Sequence, residues 1–188
     1  TGQEKYQQGF SPLVPGFKHV PFNDLEAVKK ALTPQTVAVM LELVQGEGGI
    51  NIASEAYVRG LRQLCDEHKL LLIVDEVQTG IGRTGTMFAW QRYNIVPDMF
   101  TLAKSLGGGL PIGAMLARPE LADLLTPGTH ASTFGGGAVI CKAALAVLHA
   151  VQKEKILANV GHMGEYLMQR LQELKKEFTV IKEVRGCG

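Results

Sequence analysis

The residues best equipped for chemistry fall in two short stretches. In residues 71–85, LLIVDEVQTGIGRTG, four aliphatic residues run into Asp75 and Glu76, and a glycine-rich loop carrying Arg83 follows. An unpaired charge at the end of a buried strand is costly, so Asp75 needs a partner. In residues 101–116, TLAKSLGGGLPIGAML, Lys104 comes directly after an apolar run and before the glycine triplet 107–109, 29 positions beyond Asp75. A lysine at such a strand end, with little water around it, becomes less basic. An amine of that kind condenses with carbonyls. A fixed aspartate suits a pyridinium nitrogen, and the two together point to pyridoxal 5'-phosphate as the ligand. Each residue taken alone also has a plainer reading: Lys104 as a solvated loop lysine, Asp75 as a cap on the following turn.

The surrounding pattern supplies elements that can position such a pair. Residues 1–22 are rich in Gly and Pro and read as an irregular surface segment. Residues 23–32 read as a helix capped by Asn23 or Asp24, and residues 54–69 as an amphipathic helix capped by Ser54. Residues 36–44 and 70–74 are continuous apolar runs, which suit buried parallel strands. Residues 45–53 read as a loop, 87–94 as a short helix, and 98–103 and 112–117 as further strands. A short helix at 119–125 starts on Pro119. A long helical tract at 138–178, broken near Lys153 or Gly161, leads to a last short strand at 179–186. Alternating strands and helices predict an α/β fold with a mainly parallel sheet. Ligands bind beyond the C-terminal strand ends of such sheets. Glu42 to Glu47, Asp75 to Gln78, and Lys104 all stand at strand ends.

Composition sets the outer limits. The chain has 188 residues, 46% hydrophobic and 20% charged, with a net charge of +1, which suits one sizeable globular domain and perhaps part of a second. The charges are scattered, so no basic nucleic-acid surface is expected. No apolar run approaches the ~20 residues of a membrane span, and no secretory leader pattern is seen. Cys65, Cys141 and Cys187 are an odd, widely spaced set, which argues for a reducing, cytoplasmic setting. Thr1 and the closing VRGCG both read as interior positions of a longer protein.

The words ELVQGEGG, LCDEHKLLLIVDEVQTGIGRTGTMFA, PDMFTLAKSLGGGLPIGAMLA, HASTFGG and EVRG stand in this order along essentially the whole chain. In these the chain resembles the class III (subgroup II) aminotransferases, in the acetylornithine/ornithine branch. The resemblance implies a fold-type I cofactor domain, truncated at both ends. Residues 1–146 would form part of the large domain, and residues 147–188 the linker helix and the start of a C-terminal small domain. Lys104 would carry pyridoxal 5'-phosphate and shuttle the proton. Asp75 would hold the ring nitrogen, Val77 would pack on one ring face, and Gln78 would reach the phenolic oxygen. Thr133 would reach the cofactor phosphate of a neighbouring subunit in a homodimer with shared active sites. Glu47 would be the gating glutamate that tells the amine substrate from glutamate. Glu42 and Arg83 would have supporting places. No metal is implied.

The plainer readings are core filling for Val77, a turn residue for Gln78, an exposed loop charge for Glu47 and a helix-entry hydroxyl for Thr133. The chain departs from the family at Leu43, where a proline is usual, and at GGGAV, residues 135–139, where Gly-Gly-Asn-Pro is usual. The family's upstream phosphate loop, stacking aromatic and carboxylate-binding arginine do not appear in these residues, nor does the downstream arginine that pairs with the gating glutamate. The implied activity is amino transfer from the terminal amine of an ornithine-like substrate, N-acetylornithine first, to 2-oxoglutarate, giving an aldehyde and glutamate. Ornithine, succinylornithine and 4-aminobutyrate are alternative donors. A cofactor-binding or dimerisation fragment without activity is the alternative of another class, and the 188 residues alone are expected to be inactive.

Overall fold

The computed structural model describes residues 2–188. Five α-helices are present: α1 Glu4–Gln7, α2 Leu25–Ala31, α3 Glu55–His68, α4 Ala138–Lys153 and α5 Ile156–Glu177. Six strands accompany them: β1 Ala38–Glu42, β2 Val44–Gln45, β3 Asn51–Ile52, β4 Leu71–Asp75, β5 Met99–Leu102 and β6 Ala114–Ala117. Ala89–Tyr93, Lys104–Gly107 and Pro119–Leu124 form 3-10 turns. The main sheet has the order β1-β4-β5-β6, with β1, β4 and β5 parallel and β6 antiparallel to β5. The expected mainly parallel α/β sheet is therefore present.

Local chemistry accounts for the helix starts. Asp24 Oδ1 accepts the Ala27 N–H at 2.8 Å and caps α2, whereas Asn23 instead bonds Ser54 N and Ile52 O. Ser54 Oγ accepts the Tyr57 N–H at 3.3 Å at the head of α3. The buried face of α3, with Val58, Leu61, Leu64 and Cys65, covers Leu72 and Val74 of β4.

The opposite sheet face is less covered than the apolar runs predicted. Leu72 and Val74 are fully buried while Leu71, Ile73 and Asp75 are half-buried, and Met40 of β1 is 56% exposed. Among the described residues α4 lies chiefly against the Lys104–Gly107 turn rather than across β1 and β4. There Ala144 and Val151 pack with Ile81, Leu102 and Leu106.

Two other expectations change. The segment read as a 45–53 loop forms, with Val44 before it, the small β2–β3 hairpin. Residues 179–186 are not a strand: among the described residues no strand ladders with them, and the segment is held instead by Arg185 Nε on Gly49 O at 2.9 Å. The long helical tract breaks at Glu154 and Lys155, and Lys155 takes φ 54°. The boundary expected after residue 146 falls inside α4.

At the N-terminal ends of the strands, Asp98 ties four elements together. Its carboxylate accepts the Leu72 N–H at 2.7 Å, Arg62 Nη1 of α3 at 2.8 Å and Arg118 Nη1, which follows β6, at 3.1 Å. Burial pushes the Asp98 carboxyl up, but the Leu72 N–H and the two guanidinium groups outweigh it and hold it below its ordinary value. A depressed carboxyl stabilises the fold above its unfolded pKa, and that contribution is lost as pH falls. Asp98→Ala leaves Arg62, only 12% exposed, with the exposed Asp66 as its remaining ion-pair partner, and it strips the buried Leu72 N–H of its acceptor. The expected cost is about 2–4 kcal/mol. Urea unfolding of the full-length protein should show this loss, and below about pH 4 the gap between wild type and variant should narrow.

Candidate active site

Parallel pairing sets the site's frame. Glu42 of β1 stands opposite Asp75 of β4, and Asp75 stands opposite Thr101 of β5. The three form one row at the C-terminal sheet edge, and Lys104 follows three residues after Thr101. Asp75 Oδ1 accepts the Val77 N–H at 2.9 Å and the Thr101 hydroxyl at 3.1 Å. Among the described residues no hydrogen bond falls on Asp75 Oδ2, so that oxygen keeps its acceptor capacity for a ligand N–H. Asp75 thus caps its turn and also presents a free acceptor, so its two readings are compatible.

Lys104 opens a 3-10 turn with φ 42°, a left-handed conformation that is strained for a side chain with a Cβ. The turn is fixed on both sides: Leu106 and Gly107 are buried, and Ser105 Oγ reaches Gly80 O at 3.5 Å. Lys104 lines a cleft of about 670 Å³ with Arg83, Ser105, Gly108, Leu110 and Ile112. The sequence suggested a lysine with little water around it, but Lys104 is exposed. The lining residues come from the 76–90 loop and from residues 104–112, and none of them lies on an α-helix.

Gln78 and Val77 are half-buried just beyond Asp75. Gln78 lies so close to Gly46 that a Cβ there would sit 1.9 Å from Gln78 Oε1. A side chain at position 46 would push the end of Gln78 aside, so glycine there leaves Gln78 its place.

Glu76, next to Asp75, is 1% exposed. Its carboxylate accepts Thr79 Oγ1 at 2.6 Å and the Trp90 N–H at 2.9 Å. Burial raises its pKa, and these donors act against the rise. Glu76 therefore holds both ends of the 76–90 loop and aims the residues between. Sequence reading gave it no role; the one available signal was the hydroxyl of Thr79 three positions on.

Glu42 is half-buried, and its carboxyl is pushed up by burial first and by Asp75 second. The Gly46 N–H and Lys104 act in the opposite direction. Glu47 is exposed at the hairpin turn, where it meets three side chains from the start of the chain. It accepts Tyr6 Oη and, at 3.3 Å, Gln3 Nε2, and it pairs with Lys5 at 3.6 Å. The hydrogen bond from Tyr6, then that from Gln3, hold its carboxyl below the ordinary range. Thr133 lies on an exposed loop and is not part of the cleft wall. Gly137, at the N-cap of α4, gives no side-chain cap. Among the described residues no group of three or more His, Cys, Asp or Glu could hold a metal ion.

A family model described as "Aminotransferase class-III" matches residues 1–188. The chain belongs to this family. It is 53% identical over 188 residues to the acetylornithine aminotransferase of Caldanaerobacter subterraneus subsp. tengcongensis, covering all of this chain and 48% of that one. It is 48% identical over 187 residues to the succinylornithine transaminase/acetylornithine aminotransferase of Pseudomonas aeruginosa, covering all of this chain and 46% of that one. The fold matches the ornithine aminotransferase of Toxoplasma gondii, whose active site holds PLP at partial occupancy, with a TM-score of 0.95 and 37% identity over 100% of this chain and 45% of that one. The chain thus spans about half the length of the curated relatives it matches.

The class-III family indicates pyridoxal phosphate as cofactor, and the site chemistry fits that group: a cleft amine in Lys104, an open carboxylate oxygen in Asp75 and a half-buried amide in Gln78. Gly46→Ala tests the support of Gln78. The added methyl meets the far end of a flexible side chain, so Gln78 should move while the fold survives. If Gln78 hydrogen-bonds the cofactor, as proposed below, its displacement should weaken binding of pyridoxal phosphate by the full-length protein about tenfold, with little change in melting temperature.

Proposed function

We propose that the full protein transfers an amino group from the terminal amine of an ornithine-like substrate, N-acetylornithine first, to 2-oxoglutarate, giving an aldehyde and glutamate. The observation that carries this reading is the row of Glu42, Asp75 and Thr101 at the sheet edge, with Lys104 facing the adjoining cleft. When bound, pyridoxal phosphate supplies an electron sink for the substrate carbon. Lys104 Nζ is the attachment amine, and it carries the proton to and from that carbon. Asp75 Oδ2 holds the proton on the ring nitrogen, which is weakly basic in water and needs a fixed anion to stay charged. Val77 packs on one ring face and Gln78 orients the phenolic oxygen. Glu47 discriminates between the amine donor and glutamate.

Residues 1–146 act as part of the cofactor domain, and residues 147–188 lead toward a second domain. Thr133, exposed on its loop, is suited to reach the phosphate of a partner copy in a homodimer. The setting is the cytoplasm. The double name of the Pseudomonas aeruginosa relative favours a second reading, in which succinylornithine is the donor. In the 188 residues alone Lys104 is exposed, and without close positioning little rate is expected.

Borohydride reduction of the full-length protein with pyridoxal phosphate should tag the peptide carrying Lys104. Labelling spread over surface lysines such as Lys29 and Lys69 instead would end the reading. Asp75→Asn should lower kcat by about a hundredfold or more, and near-normal turnover would remove its proton-holding role. Comparing kcat/KM for N-acetylornithine, N-succinylornithine, ornithine and 4-aminobutyrate selects the donor.

A further inference from the structure

Glu42 is the one carboxyl of the strand-end row to which the proposed function gives no task. In-register residues on neighbouring parallel strands face the same side of a sheet, so Glu42 and Asp75 stand side by side. Two carboxylates at that spacing resist ionising together. The groups facing Glu42 come from three elements: Asp75 at the end of β4, Lys104 after β5, and Glu47 with the Gly46 N–H in the β2–β3 hairpin. Two anions and one cation therefore meet a half-buried carboxyl. The same Gly46 is in contact with Gln78 on its other side. Glu42 thus sits between the hairpin, the strand-end aspartate and the lysine.

We infer that Glu42 is a further positioning residue of the site, one that sets the charge balance of the Asp75–Lys104 pair and faces the turn supporting Gln78. The inference rests on the assignment of Lys104 and Asp75 made above. The division of labour is physical. Asp75 Oδ1 is tied by the Val77 N–H and the Thr101 hydroxyl. Glu42, with burial and Asp75 both against its charge, takes up a proton more readily and gives it up as the cationic nitrogen at Lys104 gains weight. Pairs of carboxyls driven apart in this way divide acid and anion roles at other sites.

The reciprocal effect makes the inference testable. An ionised Glu42 favours the protonated nitrogen at Lys104, so loss of its charge should lower that nitrogen's pKa. Wild type and the near-isosteric Glu42→Gln variant are reconstituted at full length with pyridoxal phosphate, and the visible band of the Lys104-linked cofactor is titrated. The midpoint should move down by about half to one pH unit in the variant. In the cofactor-free protein, the side-chain carbon resonance of Glu42 should titrate above the ordinary 4.5 and move toward it in Asp75→Asn.

An unmoved band in Glu42→Gln overturns the inference, as does a Glu42 resonance that ignores Asp75→Asn. If borohydride leaves wild-type Lys104 untagged, the cofactor reading itself falls and takes this one with it. A tagged Lys104 with an unmoved band sinks the Glu42 role alone.

Discussion

The backbone ladder joining β1, β4 and β5 is the constraint on which the rest depends. Parallel strands paired in register put residues of equal rank at the same edge. Glu42, Asp75 and Thr101 form a row for that reason, although 59 positions separate the first from the last. Asp98 secures the opposite edge, where it bonds the start of β4 and gathers arginines from α3 and from beyond β6. A slip of one residue in β4 would turn Asp75 to the other face and break the Asp98–Leu72 bond as well. One register therefore serves both the fold and the site.

Beyond the row, the site depends on two loops that are fixed from inside. Glu76 is buried and draws Thr79 and the Trp90 N–H onto one carboxylate, so the 76–90 loop closes on itself directly after Asp75. Gly46 allows the hairpin to lie against Gln78. Both devices use the backbone or a buried acceptor, which locks direction more firmly than a surface ion pair would. Glu47 has only such surface partners, in Lys5, Tyr6 and Gln3.

The sequence by itself determined the order of elements and the identity of the chemical groups. Alternating apolar runs and amphipathic stretches required an α/β sheet. Asp75 and Lys104 stood out because each ends an apolar run next to glycines, a local signal that survives without coordinates. Ser54 was legible as a cap for the same reason, since capping is a contact over three residues.

What only tertiary structure decided was non-local. Glu76 read as an ordinary carboxyl until the fold buried it against Trp90, and Glu42 had only an unspecified supporting place until the sheet set it beside Asp75. The exposure of Lys104 depends on which elements roof its cleft, and no property of TLAKSLGGG records that. The last eight residues before Cys187 have strand-like composition, yet a strand needs a neighbour with open hydrogen-bonding groups, and the fold supplies Gly49 O for Arg185 instead. Periodicity reports which side of a segment prefers apolar surroundings. Only the assembled chain determines whether those surroundings are there.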